Sequence, residues 1–233
     1  MNTSGDTTKR NDEIAKFMAE QLDQFTSNIQ RSKMLVELYN TISKEHPDAK
    51  TIHSTDILRA AVVFLHAALE ELLRSLTIAT FPLADATVLN EIPLIGHGRS
   101  FRPEKFLLGD LIKHRDKTVS GLIDDCVQQY AARLTYNNRG DLIAFTRSIE
   151  LKDSDFSKIM PKIEAMLFRR HQIVHRGDKP IRKDQQWIRA TSLSPRHVES
   201  WINATTQFVA IVLAGTVIKK YLTKPPMKDK NGR

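Results

Sequence analysis

Only one cysteine, Cys126, stands among the 233 residues, and neither a CxxC pair nor a Cys/His ligand set accompanies it. An internal disulfide is thereby excluded and a structural zinc has no ligand spacing to occupy, so the economical reading is a cytoplasmic chain without a metal. Long apolar runs are missing as well. The most apolar stretch, Phe208 to Ile218, is about half of the roughly 20 residues that a membrane-spanning helix needs. The opening residues Met1-Asn2-Thr3-Ser4-Gly5-Asp6 carry neither the basic nor the apolar region of a secretory signal. The expectation is a chain that neither enters a membrane nor is secreted, in which the Asn-x-Thr at Asn203 has no meaning. Acid is also in short supply, with 27 Asp and Glu against 35 Lys and Arg, a formal net charge of +8.

What is present suffices for a packed core. Hydrophobic residues make up 41% of the chain and charged ones 27%, which excludes disorder over the whole length. The basic surplus is concentrated. Between Lys158 and Arg189 there are nine basic residues and three acids, a net of +6 out of the whole +8. A segment of that kind suits a polyanionic partner, RNA or DNA, although a solvated face of a basic protein would read the same way.

Helical spacing prevails along the chain. Ile14, Phe17, Met18, Leu22, Phe25, Ile29, Leu35, Leu38 and Ile42 recur at threes and fours and stop before His46-Pro47, which predicts a long first helix. A second starts after Ser54 or Thr55, with Asp56 in its first turn, and runs to about Thr80 with one broad apolar face from Leu58 to Leu76. Three prolines and two glycines between Phe81 and Lys105 mark an irregular connector, whose Gly96-His97-Gly98-Arg99 is a weak candidate for a phosphate cradle. Shorter helices are expected near 106–114, 117–134 and 140–149. Asp153 or Ser154 caps a helix rising from Phe156 towards His175, with Gly177 as its stop. Ser194 and Pro195 open a last helix towards Leu222. Only Gln185 to Leu193 could be extended, so the fold class is an all-α helical bundle. Residues 1–11 and the basic tail 224–233 are expected to be disordered.

The segment Phe168-Arg169-Arg170-His171-Gln172-Ile173-Val174-His175-Arg176-Gly177-Asp178 carries the most chemistry. At about 100° per residue, Arg170 falls in the middle of an apolar stripe with Ile159, Ile163, Met166, Ile173 and Val174. A charge placed there must meet a carboxylate, a subunit interface or a bound anion. His171 and His175 share a face, but Gln172 stands where a zinc protease would have Glu, and no third ligand suggests itself, so no metal is assigned. Histidine trades protons near neutral pH, and arginine offers a permanent charge in a fork that matches phosphate oxygens. Together they suffice for metal-free cleavage of RNA by its own 2′-OH.

These residues resemble a known family. Arg170-x-x-x-x-His175 matches the R-x(4 to 6)-H motif of HEPN domains, and the string Arg169 to Arg176 followed by Asp178 is similar to the RiboL-PSP-HEPN branch. Further similarity lies in Ala67-Ala68-Leu69-Glu70-Glu71-Leu72-Leu73-Arg74, in Lys105 to Leu111, and in Thr135-Tyr136-Asn137-Asn138, so that the resemblance spans about 55 to 222. It implies a single HEPN-like domain over 12–223, dimerising so that two motif copies meet where RNA is cut. Arg170 and His175 would be the catalytic pair, with no cofactor. Glu70, with Glu71 as its rival, would orient the arginine; His171 and Asp178 would support the pair; Arg169, Arg176, Lys179, Arg182 and Lys183 would bind RNA. Arg169 also satisfies the looser motif spacing. The implied activity is that of a metal-independent endoribonuclease, a toxin or phage-defence effector held in check by a separate antitoxin or regulator. The alternative is a non-catalytic module binding RNA or a protein partner.

Overall fold

Apolar residues at threes and fours become helices nearly wherever the sequence places them. The structure, a computed structural model, describes residues 3–46, 52–94, 108–178, 182–183, 186–187 and 193–215. Among these, seven α-helices follow one another: α1 Thr3–Glu45, α2 Ile52–Thr80, α3 Ala86–Leu89, α4 Val119–Ala131, α5 Arg139–Ser148, α6 Met160–Arg176 and α7 Pro195–Gly215. Short 3-10 helices occupy Phe81–Leu83, Leu108–His114 and Asp153–Phe156. A minimal antiparallel ladder pairs β1 Arg182–Lys183 with β2 Gln186–Trp187, Arg182 opposite Trp187. The fold is all-α, and no helix among the described residues is long and apolar enough to cross a membrane.

The chain forms two compact units, Met1–Leu72 with Tyr136–Arg233, and Leu73–Thr135. In the first, α1 and α6 both pack against α7, and α5 packs against α6. The α2 stretch of this unit supplies its deepest layer, with Leu58, Ala61, Val62, Leu65 and Leu69 fully buried. Each such leucine is worth about 1.5–3 kcal/mol over an exposed one. Phe156, from the turn before α6, meets Phe208 of α7 at 4.9 Å between ring centroids. In the second unit, Phe81 stacks with Tyr130, and Arg74 ties the end of α4 by donating to the carbonyls of Ala131 and Leu134, both at 3.3 Å.

Several boundaries depart from the sequence reading. Helix α1 reaches back to Thr3 through a segment expected to be disordered, because extending a formed helix costs little once its nucleus exists. Helix α2 begins at Ile52, so Ser54 and Thr55 lie inside it rather than before it and Asp56 falls beyond its first turn; Thr55 and Asp56 both hold the Arg59 guanidinium. Helix α6 does not rise from Phe156. A separate 3-10 turn precedes it and Pro161 opens it, since a proline at the first turn lacks only an N–H that would be unpaired there. Ser194 does cap α7, its Oγ accepting from the His197 N–H at 3.4 Å. The candidate phosphate cradle at Gly96 to Arg99, most of the expected strand at 185–193 and the end of the last helix lie outside the described residues.

Helix α6 ends at Gly177 with φ 56°, a left-handed conformation, and a Cβ there would meet nothing within 4 Å. Gly177→Ala therefore isolates backbone strain. Chemical denaturation should show a loss of about 1–2 kcal/mol with an unchanged m-value. An unaltered midpoint would mean that the left-handed cap is not what stops the helix.

Candidate active site

Two successive left-handed residues, Gly177 and Asp178 (φ 58°), fold the chain back over the end of α6, and both of their N–H groups reach the Gln172 carbonyl, that of Asp178 at 3.0 Å. Aspartate tolerates that conformation better than most side chains. The turn delivers the Asp178 carboxylate to two guanidinium groups: Arg169 Nη2 and Arg59 Nε each donate to Oδ2 at 2.8 Å. Arg59 is itself held by Thr55 Oγ1 at 2.7 Å and Asp56 Oδ1 at 2.8 Å. Arg169, expected to bind RNA, is instead 7% exposed and neutralised by this carboxylate.

Arg170 meets a different partner. Its Nη1 donates to Asn137 Oδ1 at 3.0 Å, while its Nε is buried without an acceptor. Among the described residues no carboxylate pairs with it. Asn137 is fixed by its own backbone, whose N–H donates to Asp141 Oδ2 at 3.0 Å. Asn138 caps α5 by accepting from the Asp141 N–H at 3.0 Å and donates its amide to the same Asp141 carboxylate at 2.9 Å.

The preceding Tyr136 carbonyl accepts from His66 Nε2 at 3.1 Å, and His66 is 1% exposed. A carbonyl only accepts, so the proton of the neutral ring sits on Nε2. Its Nδ1 lies 3.5 Å from Glu70 Oε2. Burial holds the His66 pKa below the ordinary histidine value, and the Arg170 charge adds to this, against smaller opposing effects of the Tyr136 carbonyl and Glu70. His66 is accordingly neutral at pH 7. Glu71 turns the other way and lines a crevice with Gln21, Gln24, Phe25 and Asn28 of α1.

His171 and His175 are both exposed on α6, their ring centroids 4.7 Å apart. Arg176 is exposed; Lys179 lies outside the described residues, and Arg182 and Lys183 form β1. No group of three or more His, Cys, Asp or Glu side chains among the described residues is arranged to hold a metal ion. The apolar stripe of α6 is buried at Ile159, Ile163 and Met166 and opens towards solvent at Val174.

The family model of RiboL-PSP-HEPN matches residues 7–213, almost the whole chain. The protein belongs to the RiboL-PSP-HEPN family. No curated protein and no solved structure matches it. The all-α architecture is HEPN-like, and membership points to an RNase or an RNA-related nucleotide-binding module. Sequence reasoning had not given this HEPN chain His66, Arg59 or the side chain of Asn137 a place in the site. His66 had a readable signal, a histidine among apolar residues of the best core helix, four before Glu70. Arg59 and Asn137 act on partners 119 and 33 positions away, which spacing does not reveal.

Two outcomes follow for this HEPN chain. Asp178→Ala leaves two arginines without their shared carboxylate, and denaturation should show a loss of about 3–5 kcal/mol; a change within error would reduce the clamp to a surface ion pair. His66→Gln keeps an N–H for the Tyr136 carbonyl but cannot titrate. Because the folded pKa of His66 lies below the unfolded value, its contribution is intact above pH about 6.5 and is lost as pH falls below that. Melting temperatures between pH 8 and 5 should therefore fall less steeply for the variant than for wild type. Equal slopes would assign the acid sensitivity elsewhere.

Proposed function

We propose that the protein is a metal-independent endoribonuclease of HEPN type, acting as a homodimer in which Arg170 of one copy works with His175 of the other. The observation that carries this reading is the contrast between the adjacent arginines. Asp178 pairs with Arg169, whereas Arg170 meets the neutral amide of Asn137. A guanidinium in that state has charge and donors to offer a phosphate.

His175 is exposed and can exchange a proton with solvent or substrate. In the proposed reaction the RNA 2′-oxygen attacks the adjoining phosphorus as its proton is taken up, Arg170 stabilises the charge on the phosphoryl oxygens, and the 5′-oxygen leaves with a proton. A 2′,3′-cyclic phosphate remains, with His175 as the proton carrier. Five positions on one helix separate Arg170 from His175 by about 7.5 Å of rise and about 140° of rotation, so a phosphate is better served by two helices facing each other. Phe168 and Val174, 55% and 47% exposed on α6, give such a pair of helices apolar surface to bury. A cytoplasmic enzyme of this kind serves as a toxin or phage-defence effector, restrained by a separate antitoxin or regulator.

The test is to incubate purified protein with total RNA in excess EDTA, beside His175→Ala, Arg170→Ala and a subunit-exchanged mixture of the two. Wild type should leave 2′,3′-cyclic or 3′-phosphate ends, His175→Ala should lose about 10²–10⁴ in rate, and the mixture should recover part of the activity. An absolute Mg²⁺ requirement or 5′-phosphate products would overturn the assignment. No recovery in proven heterodimers would overturn the shared site, and binding without cleavage would favour the non-catalytic module.

A further inference from the structure

We propose that Asn137 arms Arg170: it is a neutral tether that holds the guanidinium in place while leaving its charge uncompensated for a phosphodiester. This rests on the reading of Arg170 as the phosphate-binding residue and adds the residue that makes it one. The local geometry supports a dedicated tether. Arginine only donates, so the amide oxygen of Asn137 faces Nη1, at 3.0 Å. The backbone around it is secured from both sides, by His66 on the Tyr136 carbonyl and by Asp141 on the Asn137 N–H, and the Tyr136 ring packs edge-on against Phe145 at 5.8 Å. Asn137 therefore presents its oxygen from a turn with little freedom to move.

A carboxylate was close at hand and is engaged elsewhere. Asp141 directs Oδ2 to the Asn137 N–H and the Asn138 amide, within the turn itself. One residue away, Arg169 shows the opposite arrangement, a guanidinium closed by an acid. An aspartate at 137 would have nearly the shape of the asparagine and would bind Arg170 more strongly, by a charge-assisted hydrogen bond. It would also neutralise the group that has to attract phosphate. Asparagine supplies the position without that neutralisation.

The experiment compares wild type, Asn137→Asp, Asn137→Ala and Arg170→Ala by melting temperature, by calorimetric titration with inorganic phosphate at low ionic strength, and by kcat and KM on RNA in EDTA. If Asn137 is a neutral tether, Asn137→Asp keeps or raises the melting temperature yet loses about tenfold or more in phosphate affinity and in kcat/KM. Asn137→Ala, which loosens Arg170 without neutralising it, then falls between wild type and the aspartate. The phosphate signal counted is the part that Arg170→Ala removes. A purely structural asparagine gives the reverse order, with the near-isosteric aspartate ahead of alanine, and that result overturns the proposal. The phosphate arm decides even if wild type cleaves no RNA: the same order in affinity supports the tether although the ribonuclease reading has failed. Equal phosphate affinity of wild type and Asn137→Asp, or no Arg170-dependent binding, overturns it.

Discussion

A guanidinium drawn into a helical core must find an answer to its charge, because desolvating a cation without one costs several kcal/mol. Helix α6 carries two such groups in succession, and the surrounding structure answers them differently. Arg169 receives a full carboxylate from Asp178, which the left-handed turn after the helix brings back and which Arg59 shares. The start of α2, the end of α6 and the cap beyond it are thus held by one acid. Arg170 receives a neutral oxygen from the turn that begins α5. The two arginines differ in these partners, a difference that the spacing to His175 does not reveal.

The neutral state of His66 fits the same economy. A protonated imidazole there would add a second cation beside Arg170 in a nearly dry environment, and burial together with that charge prevents it. Glu70 lies 3.5 Å from the other ring nitrogen, and the Arg170 guanidinium donates to Asn137. The exposed side of α6 presents Phe168, His171, Val174 and His175. One helix thereby turns its two arginines inward and presents apolar and imidazole side chains on its exposed side.

How much of this could be read beforehand depended on the range of the interaction. The apolar face of α2 was legible because Leu58, Leu65, Leu69 and Leu72 are placed by helical period alone. Gly177 was legible as a stop because only glycine takes φ 56° without strain. Thr55 was a candidate start because its side chain can cap a helix, and Asp56 suited a first turn by its charge, but here both serve Arg59. The apolar stripe identified Arg170 as the interior arginine, yet Arg169 is the more buried; neighbours about 100° apart fall at opposite edges of one stripe. The RiboL-PSP-HEPN string carried the family and the candidate pair. Asn137 could be quoted from it as a likeness, while its contact with Arg170 depends on how two separate segments pack.

The carboxylate of Asp178 joins partners at very different sequence distances, nine residues for Arg169 and 119 for Arg59. The short link can close as soon as α6 winds and its cap turns. The long one requires α2 and α6 to dock after a large loop has closed, which is the slow and entropically costly kind of contact. Assembly therefore has an order written into one side chain. The contact with Arg59 joins that end of α6 to α2 only once the two helices have docked.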